Sequence, residues 1–343
     1  MSPANNSSEN EAPISRSPIS ISVVVPVFNG SDTLPDVIGE LEPLTKPVLT
    51  PNGLTFQVTE ILLVWDGGAK ECAQTVRQLS RDYSTVRSIW LSRNFGQHAA
   101  TLAGMSSSSG EWVVTMDEDG QHDPAYIGQL LDRAIEEKCQ LVYAQPTNGR
   151  PHGLVRNSSS RIARWFFSKL VTDTQIDQFH SYRLILGEVA RGAAAYTGPG
   201  VYLDVALSWV VSESSTSPVP MRTEGRPASN YSFKKLIEHF GRLVISSGTK
   251  PLFLVSIVGF VFFAVGILFS VWVLFQRLFN NEVPQGWASS FVATLVVGGL
   301  ILLSLGVIAQ YLRTAVNMSL GKPLYVVVSD PQKHFDVDST PGV

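Results

Sequence analysis

Hydrophobic positions fall into three regimes along the chain. From Ile19, short β-branched runs alternate with stretches of helical spacing, and Ile19–Val27, Gln57–Val64, Val86–Leu91 and Glu111–Met116 read as buried strands. Strands alternating with helices predict βαβ units, hence an α/β domain on a mostly parallel sheet. In such sheets ligands bind beyond the carboxyl ends of the strands. After about Arg150 the pattern loosens. Arg156–Leu170 and Asn230–Ser247 are spaced as basic amphipathic helices, the second carrying Phe233, Leu236, Ile237, Phe240 and Val244 with Lys234, Lys235 and Arg242 between them. That composition suits a helix on a membrane surface, and equally one packed on the preceding domain.

The third regime is uninterrupted. Leu252–Phe275 and Ala288–Tyr311 contain no Asp, Glu, Lys or Arg. At ~1.5 Å per residue each reaches past the ~30 Å hydrocarbon layer of a bilayer. Gly259, Gly266, Gly298, Gly299 and Gly306 permit close packing of the two as a hairpin, while Trp272, Trp287 and Tyr311 sit near the ends, where amphipathic rings prefer the interface. Lys250 precedes the first span, and Arg313 and Lys322 follow the second, so the positive-inside rule puts both ends on the cytoplasmic side. The expected organisation is a disordered tail at 1–18, a cytoplasmic α/β domain at 19–229, a juxtamembrane helix at 230–249, spans at 252–275 and 288–311, and a cytoplasmic tail at 312–343. The expected location is a plasma membrane or bacterial inner membrane.

Composition agrees with a local anchor. Of 343 residues 44% are hydrophobic and 16% charged, against ~25% charged in ordinary soluble domains, and the charge-free spans account for part of the deficit. The formal net charge of −3 leaves no basic footprint for nucleic acid. Cys72 and Cys139 form neither a disulfide framework nor a zinc pattern.

The chemistry concentrates in Glu111-Trp-Val-Val-Thr-Met-Asp117-Glu118-Asp119-Gly-Gln121-His122-Asp123-Pro124, where an apolar strand runs into acids two apart. Asp117, Asp119 and Gln121 put three oxygen-bearing side chains on one short turn, as a hard divalent cation requires while positions stay open for phosphates. Asp123 before Pro124 reads as a helix cap rather than a ligand, and His122 reads as a loop residue.

Around this run the chain resembles the family 2 glycosyltransferases, in particular the branch acting on polyprenyl phosphates. Ile21-Ser-Val-Val-Val-Pro26-Val-Phe28-Asn29 resembles the opening strand and nucleotide-binding turn, and Val64-Trp65-Asp66-Gly67-Gly68 the second strand, whose acid contacts the base. Leu91-Ser-Arg93-Asn94-Phe-Gly96-Gln97-His98 resembles the Arg-Asn-x-Gly segment, and Asp117 to Pro124 the metal-binding segment. Ser181-Tyr-Arg183-Leu184 and Arg222-Thr-Glu-Gly225 through Ser232 resemble the later acceptor-side and phosphate-side segments. Lys250-Pro-Leu252 and Gly321-Lys-Pro-Leu-Tyr325 flank the spans as in two-span members.

The resemblance implies a GT-A, Rossmann-like domain that moves a sugar, with inversion, from a nucleotide-diphosphate sugar to a polyprenyl phosphate at the cytoplasmic membrane face. It implies Mg2+ or Mn2+ on Asp117, Asp119 and Gln121; donor contacts from Pro26, Phe28, Val64, Asp66, Asn94, Asp117, Glu118 and Arg226; catalytic roles for Asp119, Arg183 and Arg222; and acceptor-phosphate contacts from Arg156, Arg161 and Arg183. The partners would be donor, acceptor and bilayer, with a homo-oligomer left open. The chain departs from the family pattern at Trp65 where paired acids are usual, at Gly30 where a Glu follows the Asn, at Gln145-Pro-Thr147 where an arginine follows the strand, at Asn230 where a lysine precedes Tyr231, and in a longer Gly225–Ser229, which leaves Arg222 and Arg226 competing for one role. A transferase acting on another lipid or a polysaccharide, and a non-catalytic nucleotide-sugar-binding scaffold, are the alternative readings.

Overall fold

The computed structural model describes residues 17–148, 179–198, 200–222 and 286–334, with six isolated helical positions between 255 and 275. Arg156, Arg161, Arg226, the two amphipathic segments and both chain ends lie outside the described residues, as does most of the first expected span.

The alternating pattern produces one sheet. Its strands are β1 (Ile19–Val27), β2 (Val48–Leu49), β3 (Thr55–Trp65), β4 (Val86–Leu91), β5 (Trp112–Thr115), β6 (Leu141–Pro146), β7 (Arg183–Leu186), β8 (Ser214–Val219) and β9 (Val327–Val328). They lie in the order β8-β6-β7-β5-β1-β3-β4-β9, with β2 on β3. β1 pairs in parallel with β3 and β5, β3 with β4, and β6 with β8, while β7 runs antiparallel to both β5 and β6. The carboxyl ends of β1, β3, β4, β5, β6 and β8 therefore meet the amino end of β7 along one edge. The α/β expectation holds, with a mostly parallel, mixed sheet.

Both faces are covered, which is why the strands read as continuous apolar runs. On one face Ile21, Val23, Val25 and Val27 of β1 pack with α1 (Leu34–Leu41), α2 (Lys70–Asp82) and α4 (Ile127–Glu136). Leu34, Val37, Ile38 and Leu41 show the helical spacing that turns α1 inward. On the other face Val24, Leu62, Val64 and Ile185 pack with α3 (Gln97–Ser106), α5 (Gly187–Tyr196) and α6 (Leu203–Val210). Cys72 and Cys139 are free and buried, and burial followed by the nearby Glu118 charge pushes the Cys72 thiol up to about 11.

The second apolar stretch forms α7 (Trp287–Ser319), and its segment Val297–Ser319, of mean hydropathy 1.6, is long and apolar enough to cross a membrane. The helix continues past Tyr311, where the charge-free run ends, because Leu312 to Ser319 contains neither Pro nor Gly to stop it. The chain then returns to the sheet. β9 pairs antiparallel with β4, the Ser92 amide donates to the Val326 carbonyl at 3.0 Å, and Arg77 on α2 grips Asp330 through two hydrogen bonds of 2.7 Å while lying over the Trp90 ring. The segment expected as a cytoplasmic tail is thus, at 327–328, an edge strand of the α/β domain.

Candidate active site

Four turns meet at the carboxyl edge. The Asp66 carboxylate, 3% exposed, accepts the Phe95 amide at 2.7 Å and the Gly96 amide at 2.8 Å, fixing the turn after β4 against the turn after β3. Burial holds this carboxyl above its ordinary value despite those two N–H groups and the Arg93 charge. Gly68 lets the first turn come equally close, since a Cβ there would stand 1.8 Å from the Phe28 carbonyl oxygen. Asp66, expected at the nucleotide base, holds backbone together in this state; Asn94 sits exposed in the turn that it anchors. Of the other expected donor contacts, Phe28 is exposed at the mouth, whereas Pro26 and Val64 are paired neighbours inside the sheet with buried side chains.

After β5 the acid turn is strongly braced. Asp117 accepts Gln97 Nε2 at 2.5 Å and the Ser181 hydroxyl at 2.6 Å, and burial raises its carboxyl against both bonds and the charges of His180 and Arg183. Its own amide donates to His122 Nδ1 at 3.0 Å. That bond makes His122 the neutral Nε2–H tautomer, and burial, then the Arg183 charge, push the imidazole down to about 3. The ring stacks on Tyr182 at 5.0 Å between centroids. His122 is a brace, in line with the loop reading. Asp119 Oδ1 accepts the Gln121 amide at 3.1 Å, and Asp123 caps the following turn through the Ala125 amide at 2.9 Å, as its position before Pro124 predicted.

The two expected arginines have different surroundings. Arg183, 3% exposed at the start of β7, donates from Nε to the Thr115 hydroxyl at 3.0 Å and forms an ion pair with Asp204 of α6, which also accepts the Tyr143 hydroxyl at 3.1 Å. Burial pushes the Asp204 carboxyl up while the guanidinium works against it; Arg183 stays charged. Arg222, half-exposed, binds both oxygens of Glu40 at 2.7 and 2.8 Å and Asp123 at 2.9 Å, tying α1 to the cap of the acid turn.

Gln97, His98, Thr101, Asp117, His180, Ser181, Arg183, Tyr202 and Asp204 line a cavity of about 230 Å³, which puts Asp117 and Arg183 on one pocket. Gln97, Ser181 and Asp204 were not among the expected site residues. The first two lie inside quoted motifs, and Asp204 had a signal of its own as the single acid within the apolar run Leu203–Leu207. Among the described residues no three His, Cys, Asp or Glu side chains gather as a metal site. Asp117 and Asp119 nonetheless fit a hard cation that takes one or two carboxylates and completes its shell with phosphate oxygens and water.

Comparison with known proteins gives the family of the domain. The family model described as glycosyl transferase family 2 matches residues 22–189. The uncharacterized glycosyltransferase YkcC of Bacillus subtilis is 28% identical over 94% of this chain and 96% of its own, and the undecaprenyl-phosphate 4-deoxy-4-formamido-L-arabinose transferase of Salmonella choleraesuis is 28% identical over 94% and 95%. Among solved structures, the Mycobacterium tuberculosis glucosyl-3-phosphoglycerate synthase with Mn2+ and UDP-glucose aligns at a TM-score of 0.45 and 17% identity, over 68% of this chain and 79% of that one. Staphylococcus aureus TarS with UDP-GlcNAc aligns at 0.43 and 14%, over 67% and 66%. Residues 22–189, with the acid turn after β5 at their centre, are a family 2 glycosyltransferase domain, and the chain is a glycosyltransferase.

Proposed function

We propose that the protein transfers a sugar, with inversion, from a nucleotide-diphosphate sugar to a polyprenyl phosphate at the cytoplasmic face of a membrane. One observation carries the choice of a lipid acceptor: the apolar helix ends beside the pocket. A Cβ on Gly198 would meet Met318 Cε of α7 at 2.8 Å, and one on Gly200 would stand 3.9 Å from Thr314 Cγ2. The loop holding both glycines leads directly into Tyr202, which lines the cavity with Asp117 and Arg183. A phosphate on a membrane-bound isoprenoid would thus meet the carboxyl edge where a water-soluble donor binds. The name of the Salmonella relative, a transferase acting on undecaprenyl phosphate, supports the same acceptor class.

When bound, Mg2+ or Mn2+ on Asp119 and Gln121, with Asp117, would supply Lewis-acid stabilisation of the departing diphosphate. A phosphate monoester, with a second pKa of ~6, is already ionised at neutral pH, so its oxygen needs positioning and charge compensation rather than a strong base. Arg156 and Arg161 remain proposed contacts of the acceptor phosphate, and Arg226 a proposed contact of the donor. Arg183, already paired with Asp204, serves this reading better as a fixed wall of the pocket. Arg222 keeps the Asp123 cap in register through Glu40. Asp66 and Asn94 shape the donor edge from the β3 and β4 turns. Two membrane spans, cytoplasmic termini and a plasma or inner membrane location belong to the same proposal.

The test is to incubate membranes containing the protein with a panel of nucleotide sugars and undecaprenyl phosphate, and to weigh the lipid product. A polyprenyl phosphate heavier by one glycosyl unit is expected from at least one donor. No product from any donor would favour the scaffold reading.

A further inference from the structure

A carboxylate engaged by three amides at the site edge belongs to neither acid of the expected metal pair. Glu118, between them, turns toward β1, where its Oε2 accepts the amides of Phe28 at 2.9 Å and Gly30 at 2.8 Å and its Oε1 accepts the amide of Asn29 at 3.0 Å. The Thr33 hydroxyl donates to the Glu118 carbonyl at 2.7 Å. Three successive backbone N–H groups converging on one point form an anion-binding nest, and charge-assisted bonds of this kind are the strong class of hydrogen bond. Here the chain supplies the anion itself.

Position 30 is shaped by this contact. A Cβ on Gly30 would lie 2.5 Å from Glu118 Oε2, 2.8 Å from its Cδ and 2.9 Å from its Cβ. A side chain at 30 and the carboxylate of Glu118 therefore exclude one another.

We infer that Glu118 is a positioning residue for the diphosphate site: it pins the Asp117–Asp119 turn to the turn after β1, and residue 30 is glycine because the Glu118 carboxylate occupies the space of its side chain. Asp117 is already held from the opposite side by Gln97 and Ser181. Glu118 supplies the restraint on the β1 side, so that Asp119 projects from a turn fixed at both flanks. In this role Glu118 acts through its two neighbours, its carboxylate being taken up by the amides of Phe28, Asn29 and Gly30. The coupling of positions 30 and 118 stands on geometry alone, while its effect on cation binding rests on the metal-assisted reading above.

The experiment is a double-mutant cycle of Gly30→Ala and Glu118→Ala in the full-length protein, read by denaturant midpoint and by binding of Mn2+ alone, followed through the electron paramagnetic resonance signal of the free ion. Glu118→Ala is expected to weaken Mn2+ binding at least ~10-fold while secondary structure is retained, and Gly30→Ala to weaken it comparably by displacing the carboxylate. Added to Glu118→Ala, Gly30→Ala should change Mn2+ binding less than 2-fold, because the space is then empty. Equal effects of Gly30→Ala in both backgrounds would overturn the coupling. Unchanged Mn2+ binding in Glu118→Ala would overturn the positioning role. If the unsubstituted protein binds no Mn2+, the metal reading falls and the role of Glu118 in it falls too; a non-additive midpoint would then assign the pair to folding alone.

Discussion

Asp119→Ala is expected to lower sugar transfer by about 10²–10³-fold, the scale seen when one preorganised group that stabilises departing charge is removed. Asp119 is well placed for a selective loss. It sits in the turn beyond β5, outside the core, where it accepts the nearby Gln121 amide. The denaturation midpoint should therefore stay near that of the parent. Asp117→Ala makes the contrast: it also removes the acceptor of Gln97 and Ser181, so it should lower both transfer and stability. Measuring initial transfer rates and midpoints for both variants separates the roles. Full transfer by Asp119→Ala would remove this residue from the metal site.

Asp204→Ala is expected to destabilise the domain by about 3–5 kcal/mol, the usual result of leaving one member of a buried ion pair alone. Both side chains of the Arg183–Asp204 pair are 4% exposed, and Asp204 also accepts the Tyr143 hydroxyl. The loss is a large part of the 5–15 kcal/mol that holds typical domains together. Replacing both partners with apolar side chains, Arg183→Met with Asp204→Leu, should recover much of the stability, since an ion pair and a well-packed apolar pair can be nearly equivalent. Denaturant titration distinguishes the cases. A change below about 1 kcal/mol for Asp204→Ala would mean that the pair carries little of the fold.

These two residues also show how far the sequence could be read. β1 and β4 begin and end where the apolar runs do, because strands covered on both faces reveal themselves locally. The acid turn was legible for a similar reason, being a strand, a pair of acids and a helix cap in immediate succession. Arg183 was legible as a cation in a motif, but its partner lies 21 positions away on another element, and only the fold brings them together. Glu118 resembled a donor ligand by its company between two aspartates, yet the Gly30 turn that takes its carboxylate is 88 positions earlier. β9 was missed because Val326-Val-Val328 is too short to stand out beyond a long apolar helix, and an edge strand is defined by the neighbour it finds. Helix α7 was found, although its charge-free length measured a membrane-sized core and the helix runs on to Ser319.

In the proposed reaction a lipid phosphate oxygen receives the sugar. The most direct measurement offers the purified protein, with an active donor, undecaprenyl phosphate and undecaprenol side by side in the same detergent, and records the mass and anomeric configuration of each lipid product. A glycosyl monophosphate of inverted configuration is expected from the phosphate, and no product from the alcohol. Glycosylation of the alcohol, or a product of retained configuration, would contradict it.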